Sequence, residues 1–174
     1  MSVSLIKKLV VLFLVLVFGS ATPNATPTPQ RSDPGYHKVV KIVDGDTIKV
    51  NINDKVESVR LIGVDTPELK DPRKPVQCFA KEASEKTKEL LEGSEVRLES
   101  DPTQGDKDKY QRLLRYVFLK DGTNFNKLLI EQGYAFEYTY DIPYRYQEEF
   151  EAVELSAREK GLGLWKEGVC EYNR

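Results

Sequence analysis

Three short runs of alternating or β-branched residues, Lys38 to Val43, Thr47 to Ile52 and Val56 to Ile62, follow one another with only Asp44-Gly45-Asp46 and Asn53-Asp54-Lys55 between them. Both separators have hairpin chemistry, because Gly, Asn and Asp take backbone angles that β-branched residues resist. The three runs therefore predict a β-meander. A fourth run, Glu95 to Glu99, and a fifth, Leu113 to Leu119, which ends at Asp121-Gly122, raise the expected strand count to five. Five is the number of an OB-fold barrel.

Three further segments carry a helical period. Phe79, Ala83, Thr87, Leu90 and Leu91 share one face of a helix that stops at Gly93, where a left-handed C-cap is easiest for glycine. Asn124 is placed to N-cap a short helix presenting Phe125, Leu128 and Leu129 before Gly133. Tyr146, Phe150, Val153 and Ala157 form the buried stripe of the third, which ends at Gly161. The expected class is mainly β with α, a five-stranded barrel covered on one side by three helices. No internal repeat is present, which excludes a tandem array.

The strand ends carry residues that a core does not need. Asp44 and Asp46 flank the first turn, and the third run leads through Arg60 into Gly63-Val64-Asp65-Thr66-Pro67-Glu68. Carboxylates such as Asp46 and Asp65 are hard oxygen ligands suited to Ca²⁺, and an arginine beside them suits phosphate. Either aspartate alone reads equally as a turn former. Together with Arg60 they point to metal-assisted phosphodiester chemistry.

These residues, followed by Asp108-Lys109-Tyr110-Gln111-Arg112, resemble the staphylococcal nuclease (thermonuclease) family, and the similarity runs from about His37 to Trp165. Three motifs in the right order make the resemblance specific. It implies Ca²⁺ held by the side chains of Asp46 and Asp65 and by the Thr66 carbonyl, with Asp44 nearby or acting through water. It also implies Glu68 as the general base toward the attacking water, with Arg60 and Arg112 stabilising the charge of a five-coordinate phosphorane. One position departs from the family, where a glycine usually precedes the arginine and Gln111 stands here. Arg115, close by in sequence, competes with Arg112 as the residue facing a carboxylate.

Substrate contacts are more diffuse. Five of the nine tyrosines fall between Tyr134 and Tyr146. Tyr138 and Tyr140 are candidates for a nucleobase platform, since stacking is worth about 1–3 kcal/mol per base. Tyr134 and Tyr146 read as barrel packing. The resemblance assigns Lys109 and Tyr110 to the terminal phosphate and Tyr138 to the base. Lys70, Arg73 and Lys74 form a basic loop able to steer polyanions, or a plain solvated charge run.

The chain of 174 residues has room for one domain and a tail, and its 40% apolar content suffices for a core. Lys7 and Lys8, the apolar run Leu9 to Phe18 and the small residues Gly19-Ser20-Ala21 read as a secretory signal over residues 1–21. An uncleaved anchor is the other reading of that segment. Residues 22–35 are rich in Pro and Thr and read as a disordered linker containing the sequon Asn24-Ala25-Thr26. The catalytic domain then spans 36–168, with a tail over 169–174. Loss of Lys7 and Lys8 with the leader takes the 26 basic residues to 24 against 28 acidic ones, a formal net charge of −4. Nucleic acid must then be held by a local basic surface or by metal, not by overall charge.

Cys78 and Cys170 are the only cysteines. Export favours a disulfide between them, which would close a loop of about 92 residues and add roughly 4–5 kcal/mol in the chain-entropy model. The other reading is a small buried hydrophobe and a tail thiol. A bridge would pin the C-terminus to the first helix, away from the metal site. With His37 the only histidine, zinc has no usual ligand spacing, and His37 reads as a solvated residue at a strand edge.

The combined expectation is a secreted, monomeric, Ca²⁺-dependent endonuclease with no stable protein partner. Its substrates are DNA and RNA, single-stranded or frayed, and its products carry 3′ phosphate. The alternatives are a noncatalytic OB-fold binding module, for which the acidic and arginine set would be superfluous, and a membrane-tethered nuclease.

Overall fold

The computed structural model describes residues 35–70 and 75–171. The expected signal, the linker with its sequon, Arg73, Lys74 and the last three residues lie outside them. The elements are β1 (Tyr36–Asp44), β2 (Thr47–Ile52), β3 (Lys55–Leu61), β4 (Val64–Asp65), α1 (Ala80–Leu91), β5 (Glu95–Glu99), β6 (Leu113–Phe118), α2 (Phe125–Glu131), β7 (Phe136–Glu137) and α3 (Gln147–Glu159). A 3₁₀ turn follows at Gly163–Trp165.

The meander forms as expected. β2 and β3 are joined by Asn53 and Asp54, both at positive φ (50° and 63°), the geometry of a tight two-residue hairpin. The barrel closes in the order β1-β2-β3-β6-β5, with β5 returning antiparallel onto β1. β3 and β6 pair in parallel, Val59 opposite Leu113 and Arg60 opposite Leu114. Closure leaves His37 paired to Val96 and half-buried within the wall, so it does not sit at a sheet edge. A second small sheet, β4 with β7, lies outside the barrel, its two-residue strands too short to carry a sequence period.

Alternate residues of the strands fill the interior, where Val39, Ile48, Val50, Val59, Val96 and Tyr116 are fully buried. The α1 face predicted from the sequence is the one buried, at Ala83, Thr87 and Leu91. The Asn124 side chain accepts from the Lys127 N–H and caps α2. Phe150 and Ala157 of α3 are buried as expected, and the Phe150 ring stacks on Tyr146.

Asn126 is the α2 residue that the periodicity did not single out. It is fully buried; its Nδ2 donates to Ile62 O at 2.9 Å and its Oδ1 accepts from the Val117 N–H at 2.9 Å. One amide thus ties the end of β3 to β6. Cys78 and Cys170 form a disulfide that attaches the C-terminal segment to the chain just before α1.

Candidate active site

Register brings the first site residues together. In the β2–β3 pair Thr47 lies opposite Arg60, and the Leu61 N–H donates to Asp46 O at 3.0 Å. After β3 the chain turns sharply at Ile62-Gly63, so that Asp65 in β4 comes back beside Asp46. Gly63 takes φ +73°, and a Cβ there would lie 2.6 Å from the Tyr144 ring, so only glycine permits the turn against that tyrosine. Arg60 sits inside it. Its Nη1 donates to Val64 O at 2.5 Å and Leu61 O at 3.1 Å, while Nη2 lies 3.1 Å from Asp46 Oδ2 and 3.5 Å from Asp65 Oδ1. Two carboxylates this close repel unless positive charge lies between them, and here one guanidinium supplies it.

Asp46 is held on every side. Thr47 Oγ1 donates to its Oδ1 at 2.9 Å, and the Thr66 N–H and Oγ1 each donate to its Oδ2 at 3.1 Å. The turn carrying it is secured by α1, whose Thr87 Oγ1 donates to Gly45 O at 2.6 Å. Asp44 is half-buried, and burial pushes its carboxyl up to about 6. The charges of Asp46 and Glu68 act in the same direction, opposed by the Gly45 N–H and by Lys70. Asp44 therefore lies in the field of Asp46 and Glu68.

Asp46 and Asp65 present carboxylate oxygens to one cationic point, the Arg60 guanidinium, and oxygen donors of this kind suit a hard cation. Among the described residues there is no group of three or more His, Cys, Asp or Glu side chains placed to hold a metal. Asp46 and Asp65 are the two carboxylates that would hold such an ion.

The second wall is built by the segment before β6. Arg112 Nε donates to Asp108 Oδ2 at 2.6 Å, and its Nη1 reaches Thr47 Oγ1 at 3.3 Å. Both the guanidinium of Arg112 and the ammonium of Lys109 stand over the Tyr110 ring, at 5.3 and 5.2 Å from its centre. Gln111 adopts φ 64°, the left-handed conformation that a glycine would take there, so the turn survives the substitution at a steric cost. Arg115 is engaged elsewhere, 2.5 Å from Asp106. Arg112, not Arg115, faces the Asp46 strand end.

Between the walls lies a cleft of about 580 Å³, lined by Arg60, Asp65, Lys109, Tyr110 and Arg112 on one part and by Tyr138 and Tyr140 on another. The two tyrosines are exposed, with ring centres 6.3 Å apart. Tyr134 and Tyr146 pack against the core as expected. Glu68 is half-buried in the segment after β4, with its Oε1 accepting from the Lys70 N–H at 2.8 Å. The exposed Lys70 ammonium donates to Val43 O and keeps its charge beside Asp44.

The barrel strand end thus carries a guanidinium-bridged carboxylate pair that shares a cleft with a second arginine and two open tyrosines. Residues 58–167 match the model of the staphylococcal nuclease homologue family, more than half the chain. The chain belongs to the staphylococcal nuclease family. It is 42% identical over 129 residues to a thermonuclease of Staphylococcus hyicus, covering 74% of this chain and 75% of that protein. It is 38% identical over 158 residues to a thermonuclease of Staphylococcus intermedius, covering 91% of each. Endonuclease YncB of Bacillus subtilis is 39% identical over 136 residues, 77% of this chain and 63% of that protein. As a staphylococcal nuclease homologue the chain is a hydrolase acting on nucleic acids.

Sequence reasoning passed over several residues on which this nuclease site depends. Asp108 belongs to the Asp108-Lys109-Tyr110-Gln111-Arg112 motif and holds Arg112, a pairing whose sequence signal is an acidic residue four positions before an arginine. Tyr144, buried and donating to Glu137 at 3.0 Å, is the wall against which the Gly63 turn closes. Asp101 lies outside the motifs and is buried, accepting from Tyr116 Oη at 2.6 Å, the Arg145 N–H at 2.8 Å, and the Thr103 N–H and Oγ1. Nothing in one sequence separates such an aspartate from a surface one.

Proposed function

We propose that this nuclease is a secreted, Ca²⁺-dependent endonuclease that prefers single-stranded or frayed DNA and RNA and leaves 3′ phosphate. The observation that carries the reading is the convergence of Asp46 and Asp65 on Arg60 at one end of a cleft that also presents Arg112, Lys109 and two exposed tyrosines. Exposed aromatic faces need unstacked bases, which favours single strands over an intact duplex.

Asp46, Asp65 and the Thr66 carbonyl would hold the Ca²⁺, which when bound supplies positive charge that polarises the scissile phosphate and acidifies water. Glu68 accepts the proton of the attacking water at a carboxylate oxygen. As the new oxygen bond to phosphorus forms, charge accumulates on the phosphoryl oxygens, and the Arg60 and Arg112 guanidinium groups donate to them. The bond to the 5′ oxygen breaks, that oxygen takes up a proton, and the phosphate remains on the 3′ side. Lys109 and Tyr110 flank the phosphate, with Tyr138 and Tyr140 against the base.

The test is digestion of a single-stranded oligonucleotide with Ca²⁺ or with chelator, followed by end-group analysis. Turnover that needs Ca²⁺ and yields 3′-phosphate ends is the expected result, abolished or much reduced in Asp46→Ala and Asp65→Ala. Full activity in excess chelator overturns the metal assignment, and 5′-phosphate ends overturn the direction of cleavage. Export is tested separately by the N-terminal mass of protein recovered outside the cell.

A further inference from the structure

Glu68 stands in a stretch with no helix or strand to hold it, three residues beyond β4. A proton acceptor must be fixed to within a fraction of an ångström of its water, and a loop backbone does not achieve that unaided. The chain leaves Glu68 and comes back at Gln77, nine residues on. There the Gln77 Oε1 accepts from the Glu68 N–H at 2.7 Å, and the Gln77 N–H donates to the Glu68 carbonyl at 3.0 Å. Both main-chain polar groups of Glu68 are therefore satisfied by one residue. The Glu68 carboxylate meanwhile accepts from the Lys70 N–H, so backbone and side chain are restrained together.

Gln77 is itself anchored from behind. Its carbonyl accepts from the Ala80 N–H at 3.2 Å at the start of α1. Cys78 is bonded to Cys170, and the Phe79 ring packs on Tyr134 at 5.6 Å between centres. Three consecutive residues thus tie this short segment to α1, to the C-terminus and to the core. The disulfide, expected to lie away from the site, stands one residue from the contact with Glu68.

We propose that Gln77 is a positioning residue for Glu68, closing the loop base so that the carboxylate is presented to the attacking water in one orientation. The inference rests on the reading of Glu68 as general base. Gln77 does not touch substrate and acts only through Glu68. A side chain at this position needs the reach of Gln and an acceptor at its end; a charge is not required.

The test compares Gln77→Met, which keeps the length and loses the acceptor, with Gln77→Glu, which keeps both, in the full chain with intact disulfide. Single-turnover and steady-state cleavage of a single-stranded oligonucleotide give kcat and KM, and amide exchange gives the protection of the Glu68 N–H. Gln77→Met is expected to lower kcat about tenfold with KM within twofold of wild type, and to speed Glu68 amide exchange about tenfold. Gln77→Glu should restore kcat to within about threefold and restore protection. In a Glu68→Gln background, Gln77→Met should cost nothing further, because a positioning residue has no role once its client is gone. Unchanged kcat and exchange in Gln77→Met overturns the proposal. So does an equal loss of kcat with and without the Glu68 carboxylate. Wild-type kcat in Glu68→Gln alone overturns the base assignment instead, whatever the exchange data show.

Discussion

Asp108 accepts twice from Arg112, from its main-chain N–H at 2.9 Å and from Nε at 2.6 Å, leaving the Nη side of the guanidinium directed toward Thr47. The carboxylate fixes one edge of the planar fork and frees the other edge for phosphate. Although burial alone would raise it, these bonds from Arg112, with one from the Tyr110 N–H, hold the Asp108 carboxyl below its ordinary range, so it stays ionised in this role.

The first prediction follows from that pair. Asp108→Ala should lower kcat by about tenfold to a hundredfold, the cost of a mispositioned catalytic group, with nucleotide binding weakened far less. Arg112→Ala should lower kcat further, and Arg112→Lys should recover little, because an ammonium lacks the fork. Single-turnover cleavage beside inhibitor binding checks it. Equal losses in rate and affinity would make Arg112 a simple phosphate anchor.

Gly45 is the second. A Cβ built there falls 2.8 Å from Thr66 Oγ1 and Cγ2, so Gly45→Ala must displace a residue that orients Asp46. The expected cost is about 1–3 kcal/mol of stability together with a several-fold rise in the Ca²⁺ needed for half-maximal rate. Calcium titration of activity and chemical denaturation measure the two effects. An unshifted calcium midpoint would detach Thr66 from metal binding.

Gln111 supplies a prediction of opposite sign. Its φ of 64° is costly for a side-chain-bearing residue and free for glycine. Gln111→Gly should therefore stabilise the fold by about 1 kcal/mol, part of the relief being returned as entropy of the unfolded chain. Urea denaturation is the measurement. Since the side chain is exposed, activity should hold or rise slightly.

Asp101 sets an acid limit on stability. Burial works to raise its carboxyl, but donors from the Arg145 backbone, Tyr116 and Thr103 outweigh it and hold the value below the ordinary range. The folded value lies below the unfolded one of about 3.9, so this contribution is present in full above about pH 4 and is lost as pH falls through the folded value. Asp101→Asn should cost about 3 kcal/mol near neutrality and flatten the dependence of stability on pH below about 4. Denaturation curves from pH 3 to 7 on both proteins test it. Parallel curves would mean that other carboxylates set the acid limit.

Much of this site was legible because it rests on local chemistry. Asn53-Asp54 announces a hairpin through the angles those residues tolerate, and Asn124 announces a cap through its short acceptor side chain. Asp46, Arg60 and Asp65 were legible together because a barrel strand end has no use for that combination in packing. Two cysteines left a single possible pair, while the bond between them was expected from export and stood beside a free-thiol reading. Periodicity was weaker on α2, where it marked Leu128 and passed over Asn126, because a buried amide looks polar in sequence and becomes favourable only when Ile62 O and the Val117 N–H arrive as partners.

What the sequence by itself determined, then, is the set of elements and the identity of the acidic and arginine residues, since both depend on contacts or conformations within a few positions. Tertiary structure decided which of those residues meet. The parallel pairing of β3 with β6 places Arg60 opposite Leu114 and so brings the Arg112 segment to the same strand end. The Gly63 turn against Tyr144 returns Asp65 to Asp46, and Gln77 closes on Glu68 across nine residues. Each of these contacts joins groups whose separation in sequence carries no local signal, the first fixed by barrel closure and the others by packing and hydrogen bonds that only the assembled fold supplies.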